Sequence, residues 1–240
     1  MINKRIKRGS HVGIILSFVI FVVFLVYLFG ILQPAYKSNA SKETMSGYVK
    51  NNLIDYLSAN LTIITISAVS GQPSDDTVEF DESAITNFDA SNMYFVVKNT
   101  GGSEVDSIRK IKKILIKREN GQNVFDIYYS TENLTITKIY NLPTNAKILT
   151  SEIKLITYRN EIFESKVNNA LKSYNSDYTS FKRSIGISNI NFGFSFKNAA
   201  GVVNGTTQNT QGDVYAQETP VPYFDKGGNL KTGFFTVKIW

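Results

Sequence analysis

Apolar and polar positions divide the chain into three stretches of different period. Val12 to Leu32 carry no charge. At 1.5 Å rise per helical residue, these roughly 21 positions match the roughly 30 Å apolar layer of a bilayer. The run predicts a transmembrane helix over residues 10–34. It exceeds the apolar region of about 7 to 15 residues found in a secretory leader, so retention of the helix is expected. In the next stretch Met45, Val49, Leu53 and Leu57, flanked by Tyr48 and Tyr56, recur at helical spacing. They predict an amphipathic stalk helix within residues 35–60, starting near Ser41 and periodic to about residue 59. Gln33-Pro34 predicts a kink or break between the two helices, because proline lacks a backbone donor and crowds the preceding turn.

From Leu61 the period falls to two. Leu61–Val69, Met93–Asn99, Lys113–Lys117, Asn123–Ser130 and Leu134–Tyr140 alternate and are rich in β-branched and aromatic residues. Gly71-Gln72-Pro73, Asn99-Thr100-Gly101-Gly102 and Asn120-Gly121 supply turns between them. A second helical stripe follows, formed by Phe163, Val167, Ala170, Leu171, Tyr174, Tyr178, Phe181 and Ile185, with Gly186 as its terminator. Then Ile190, Phe192, Phe194 and Phe196 fall on one face of a strand. The C-terminal segment reads as strands closed by a turn at Asp225-Lys226-Gly227-Gly228, and Asn198–Gly212 reads as a polar loop. The expected fold is therefore α+β: an N-terminal transmembrane helix continued by an amphipathic helix, then a mainly antiparallel β head over 61–240 with one packed helix at about 161–185.

Charge sets the expected orientation. Lys4, Arg5, Lys7 and Arg8 precede the span, while residues 35–41 hold only Lys37. By the positive-inside rule residues 1–9 form a cytoplasmic basic leader, and the body lies outside the membrane. The leader supplies four of the six net positive charges, so the basic balance is a topology signal and no nucleic-acid partner is expected.

The chain has no cysteine, and its one histidine, His11, sits at the membrane edge. Disulfides, thiolate nucleophiles and, for the exterior body, a Ser-His-Asp triad or a histidine-ligated zinc site are thereby excluded. No cofactor and no catalytic site are expected. The densest acidic run offers Asp75, Asp76, Glu79 and Asp81 as hard oxygen ligands for a divalent cation, but its spacing fits no EF-hand and a solvated loop is the simpler reading. Arg109–Arg118 lacks interleaved aromatic residues and reads as the charged outer face of a strand or short helix. Asn39, Asn60, Asn133 and Asn204 head Asn-x-Ser/Thr sequons, a number that chance alone supplies in a chain so rich in Asn, Ser and Thr. Gly13 and Ser17, in line with Gly9, form a row of small residues suited to close helix packing.

The collar carries a resemblance. Lys7-Arg8-Gly9 immediately before an uninterrupted apolar helix resembles the class III signal of type IV prepilins, particularly archaeal ones. The resemblance implies that a prepilin-type peptidase cuts between Gly9 and Ser10 and leaves the hydrophobic helix on the mature protein. It further implies a cell-surface, pilus-like assembly of this chain with itself or with other pilin-like subunits. The large body points to a minor subunit. A permanently membrane-anchored exterior module for binding or adhesion is the alternative.

Overall fold

The computed structural model describes residues 10–69, 77–86, 88–119, 121–207 and 213–240, without the side chains of residue 10 and residues 33–40. The first element, α1, is one α-helix of 48 residues, Ser10–Leu57. It runs through Pro34 without interruption, so the expected break between span and stalk is absent. Proline removes a single backbone bond, and the turns on either side carry the helix across it. The helix ends two residues earlier than its period suggests, because Ser58 already pairs with Ile162 in a sheet.

The strands are β1 (Ser58–Ala68), β2 (Thr77–Asp81), β3 (Tyr94–Asn99), β4 (Ser107–Lys110), β5 (Lys113–Lys117), β6 (Val124–Ser130), β7 (Ile148–Ile162), β8 (Phe192–Lys197), β9 (Val203–Gly205), β10 (Tyr215–Phe224) and β11 (Leu230–Ile239). Two further α-helices are α2 (Glu164–Ser176) and α3 (Tyr178–Ser184), and Glu82–Ala84 form a short 3₁₀ turn.

Seven strands form one sheet in the order β3-β6-β1-β7-β2-β5-β4, antiparallel except where β2 runs alongside residues 148–150 of β7. This sheet curls on itself. The residues after β3 return along its edge, with Lys98 bridging to Glu104 and the Val105 N–H donating to the Val97 carbonyl. The same segment leads into β4, so the two ends of the sheet nearly meet. Curling buries Ile64, Ile66, Phe80, Val97, Ile114, Phe125 and Ile127 against one another in a barrel-like core with no helix in it.

The other four strands form a second sheet, β10-β11-β8-β9. Its inner face presents Phe192, Phe194, Phe196, Phe235, Val237 and Ile239, alternating as the two-residue period requires. The C-terminal part of α1 packs there through Val49, Leu53 and Leu57, all wholly buried, alongside α2 and α3. Burying each such leucine stabilises the fold by about 1.5–3 kcal/mol relative to exposure. Leu61, Leu134, Phe163 and Phe224 form a third, smaller cluster.

Three further sequence expectations are corrected. The helix expected at about 161–185 starts at Glu164 and is split at Asp177, whose carboxylate accepts from the Ser180 N–H at 3.0 Å and restarts the chain as α3. Residues 160–162 belong to β7, and Phe163 stands at the junction. Among the apolar stripe Val167, Ala170, Leu171, Tyr174, Phe181 and Ile185 are buried and Tyr178 is half-buried. Leu134–Tyr140 alternates like a strand but joins no sheet beyond a bridge of Ile139 to Ser107. Its N–H groups are satisfied elsewhere: those of Thr137 and Lys138 donate to the Glu104 carboxylate, and that of Thr135 to the Lys226 carbonyl. In the expected loop over Asn198–Gly212, β9 adds a short strand against β8, and residues 208–212 lie outside the described residues.

Candidate functional site

The most distinctive surface is the first half of α1. His11–Leu32 is long and apolar enough to cross a membrane, and none of it is buried against the rest of the chain. Phe18, Phe21, Phe24, Tyr27 and Phe29 are each more than half exposed. Such a surface, larger than soluble chains tolerate, is stable only in lipid or against other protein. The second half of the same helix is anchored: the buried Ser46 hydroxyl donates to Gln217 Oε1 at 3.2 Å, and Leu57 at its end accepts from the Phe163 N–H at 3.3 Å. One rigid element therefore joins the apolar surface to the head.

The residues singled out in the sequence fall as follows. Gly9 lies outside the described residues, and Ser10 opens α1. Gly13 and Ser17 lie one turn apart on the exposed helix, and a Cβ added at Gly13 would meet no atom within 4 Å. Asp75 and Asp76 lie outside the described residues. Glu79 pairs with Lys113 at 2.7 Å, and Asp81 accepts from the Ser83 N–H and hydroxyl at 2.9 and 2.6 Å. Those hydrogen bonds hold the Asp81 carboxyl below its ordinary pKa. Each carboxylate is thus engaged in its own local contact, and among the described residues no group of three His, Asp or Glu side chains is placed to hold a metal ion.

Of the sequon asparagines, Asn60, Asn133 and Asn204 are exposed, and the Asn39 side chain is not among those described. Asn133 and Asn204 both line a polar groove of about 610 Å³ between α2, β9 and the residues after β6. Asn168, Asn169, Asn175, Glu132 and Lys172 also line it. The Ser165 hydroxyl fixes Glu132 by donating to Oε2 at 2.8 Å.

The basic run is not the uniform outer face expected of it. It folds as the β4–β5 hairpin, and its ends Arg109 and Arg118 turn inward. Arg118 is buried, donating to the Gln122 carbonyl at 3.0 Å and to Asn123 Oδ1. Arg109 donates through Nε to Glu82 Oε1 at 3.0 Å and through Nη1 to the Met93 carbonyl at 2.9 Å, and its guanidinium lies 4.7 Å from the Phe95 ring centre. A guanidinium is weakly hydrated and carries several donors, so Arg118 is held inside and the half-buried Arg109 lies against aromatic rings, while Lys110, Lys112 and Lys113 stay outside. The Tyr129 hydroxyl donates to the same Glu82 oxygen at 2.9 Å, and burial, reinforced by that carboxylate, raises its pKa far above the ordinary tyrosine value. Sequence reading missed this network because its members stand 27 and 47 positions from Glu82.

The fold and this surface define a class: an α+β head carried on a helix that can span a membrane. No family model matches the chain, and neither a curated protein nor a solved structure shows significant similarity to it.

Proposed function

We propose that the chain is a pilin-like subunit, inserted as a single-pass membrane protein with its head outside, trimmed between Gly9 and Ser10, and then assembled through the apolar half of α1. The observation that carries this reading is the division of α1. Its first half is apolar and exposed over His11–Leu32, and its second half is locked into the head through Val49, Leu53 and Leu57. The helix is a bilayer span before assembly and an internal packing surface after it. Lys4, Arg5, Lys7 and Arg8 would be costly inside a helical bundle, since an unpaired charge is strongly disfavoured away from water. Trimming removes them. The head's part is structural or adhesive.

Intact mass and N-terminal sequencing of the native protein test the reading. A start at Ser10, lost in Gly9→Val, is the expected outcome. A start at Met1 or Ile2 overturns it in favour of a permanently anchored exterior module, which the asparagine-lined groove would serve as a ligand site. Protease added to intact cells should degrade the head; full protection would refute the orientation.

A further inference from the structure

Lys98 is a β3 lysine with only 4% of its surface exposed. Its Nζ donates to the Gly228 carbonyl and to Oδ1 of Asn229 at 2.8 Å, and the Tyr128 ring centre lies 5.3 Å away. Asp225 grips the same asparagine. Its carboxylate accepts from the Asn229 backbone N–H at 2.8 Å and from Nδ2 at 3.2 and 3.1 Å. A lysine that merely pinned the turn would need the Gly228 carbonyl alone. Here the amine also lies against a side-chain carbonyl, so Cγ is one bond beyond its hydrogen-bond partner, while a carboxylate holds the group that would depart.

We propose that Lys98 and Asn229 condense into an intramolecular amide bond, with Asp225 as the proton relay. The ammonium first gives a proton to water, a step helped by burial, which lowers the Lys98 pKa against the opposing pull of Asp225 and Glu104. Neutral Nζ then attacks Cγ, and the Nζ–Cγ bond forms as the carbonyl electron pair moves to Oδ1. Water at the exposed turn takes a proton from Nζ to the Asp225 carboxylate, which passes it to the Nδ2 that it already holds. The carbonyl re-forms, the Cγ–Nδ2 bond breaks and ammonia leaves. One amide replaces another, no electron is exchanged with an outside reagent, and Asp225 ends as it began. Asn229 is exposed at the turn, which gives ammonia an exit.

The bond would join positions 131 residues apart and tie the seven-stranded sheet to the β10–β11 hairpin of the second sheet, in a chain that has no cysteine for a disulfide. Peptide mapping and intact mass of the purified full chain test it. The expected mass is one ammonia below that calculated for the N-terminus found in the same sample, with a branched peptide joining the Lys98 and Asn229 segments. Lys98→Arg and Asn229→Ala should each restore the full mass. Unmodified Lys98 and Asn229 peptides from the folded wild type overturn the proposal, whether or not either variant folds. A cross-link that forms undiminished in Asp225→Ala overturns the relay. The branched peptide reads the same whichever N-terminus is present, so its outcome is independent of trimming at Gly9.

Discussion

The Arg109 guanidinium closes on Glu82 with Nη2 2.8 Å from Oε1, and the Tyr129 hydroxyl shares that oxygen from 2.9 Å. The Glu82 side chain is only 7% exposed, so the carboxylate depends on these partners for what water would otherwise supply. Removing one partner leaves the other charge stranded. Glu82→Ala should therefore cost about 3–5 kcal/mol, whereas Tyr129→Phe, which leaves the ion pair intact, should cost about 1 kcal/mol. Urea unfolding of the detergent-solubilised chain measures both. Equal losses would mean that the pair is hydrated and contributes as little as a surface bridge.

The β4–β5 turn predicts a gain. Ile111 and Lys112 both hold positive φ, 31° and 61°, between the paired Lys110 and Lys113. A two-residue hairpin of this hand prefers Asn-Gly, and a β-branched residue is strained there. Ile111 is also 95% exposed and has no packing to lose. The double replacement Ile111→Asn, Lys112→Gly should stabilise the chain by about 1 kcal/mol or more. A loss in the same urea titration would place Ile111 in a contact with another molecule.

Asp225 sets an acid limit. Burial pushes its pKa up, but donors from Lys231 at 2.7 Å and from Asn229 outweigh that and hold it below its ordinary value of 3.8. A carboxyl with a depressed folded pKa contributes stability that is fully present above the unfolded value and is lost as pH falls through the folded one. Wild-type stability should thus fall below about pH 4. Asp225→Asn should be less stable at neutral pH and lose less on acidification. Parallel melting-temperature curves for the two proteins from pH 7 to pH 2 would show that Asp225 makes no such contribution.

These contacts mark where the sequence stops being legible. Periodicity located β5 residue for residue and the second half of α1, because each buries a face whose repeat is local, while the first half was legible as an unbroken apolar run. It failed over Leu134–Tyr140, where the Glu104 carboxylate takes hydrogen bonds that a neighbouring strand would have offered. It also left β7 unmarked. Beyond residue 150 that strand pairs only with β1, its inward Ile153 and Ile156 are only partly buried, a bulge between them shifts the alternation, and Leu155 and Tyr158 are 58% and 69% exposed. Of the candidate site, the apolar span was plain in the sequence. The triad of Lys98, Asp225 and Asn229 was not, since only the turn at Asp225–Gly228 was foreseeable and nothing local says that β3 lies against it.

The last prediction concerns the row of Gly13 and Ser17. Both lie in the part of α1 that touches no other element, and a side chain added at Gly13 meets nothing in this chain. Gly13→Leu with Ser17→Leu should therefore leave the unfolding of the head unchanged, and leucine also suits a helix better than glycine. If α1 packs against other helices, small residues at this spacing let the backbones approach closely, and two leucines hold them apart. The double variant should insert normally yet lose most of its recovery in high-molecular-weight assemblies from native membranes. Ile15→Leu, roughly 200° round the helix from Gly13, is the matched control and should assemble like the wild type. Full assembly of the double variant would remove this face from the contact, and equal failure of the control would mean that the loss is not particular to the small-residue row.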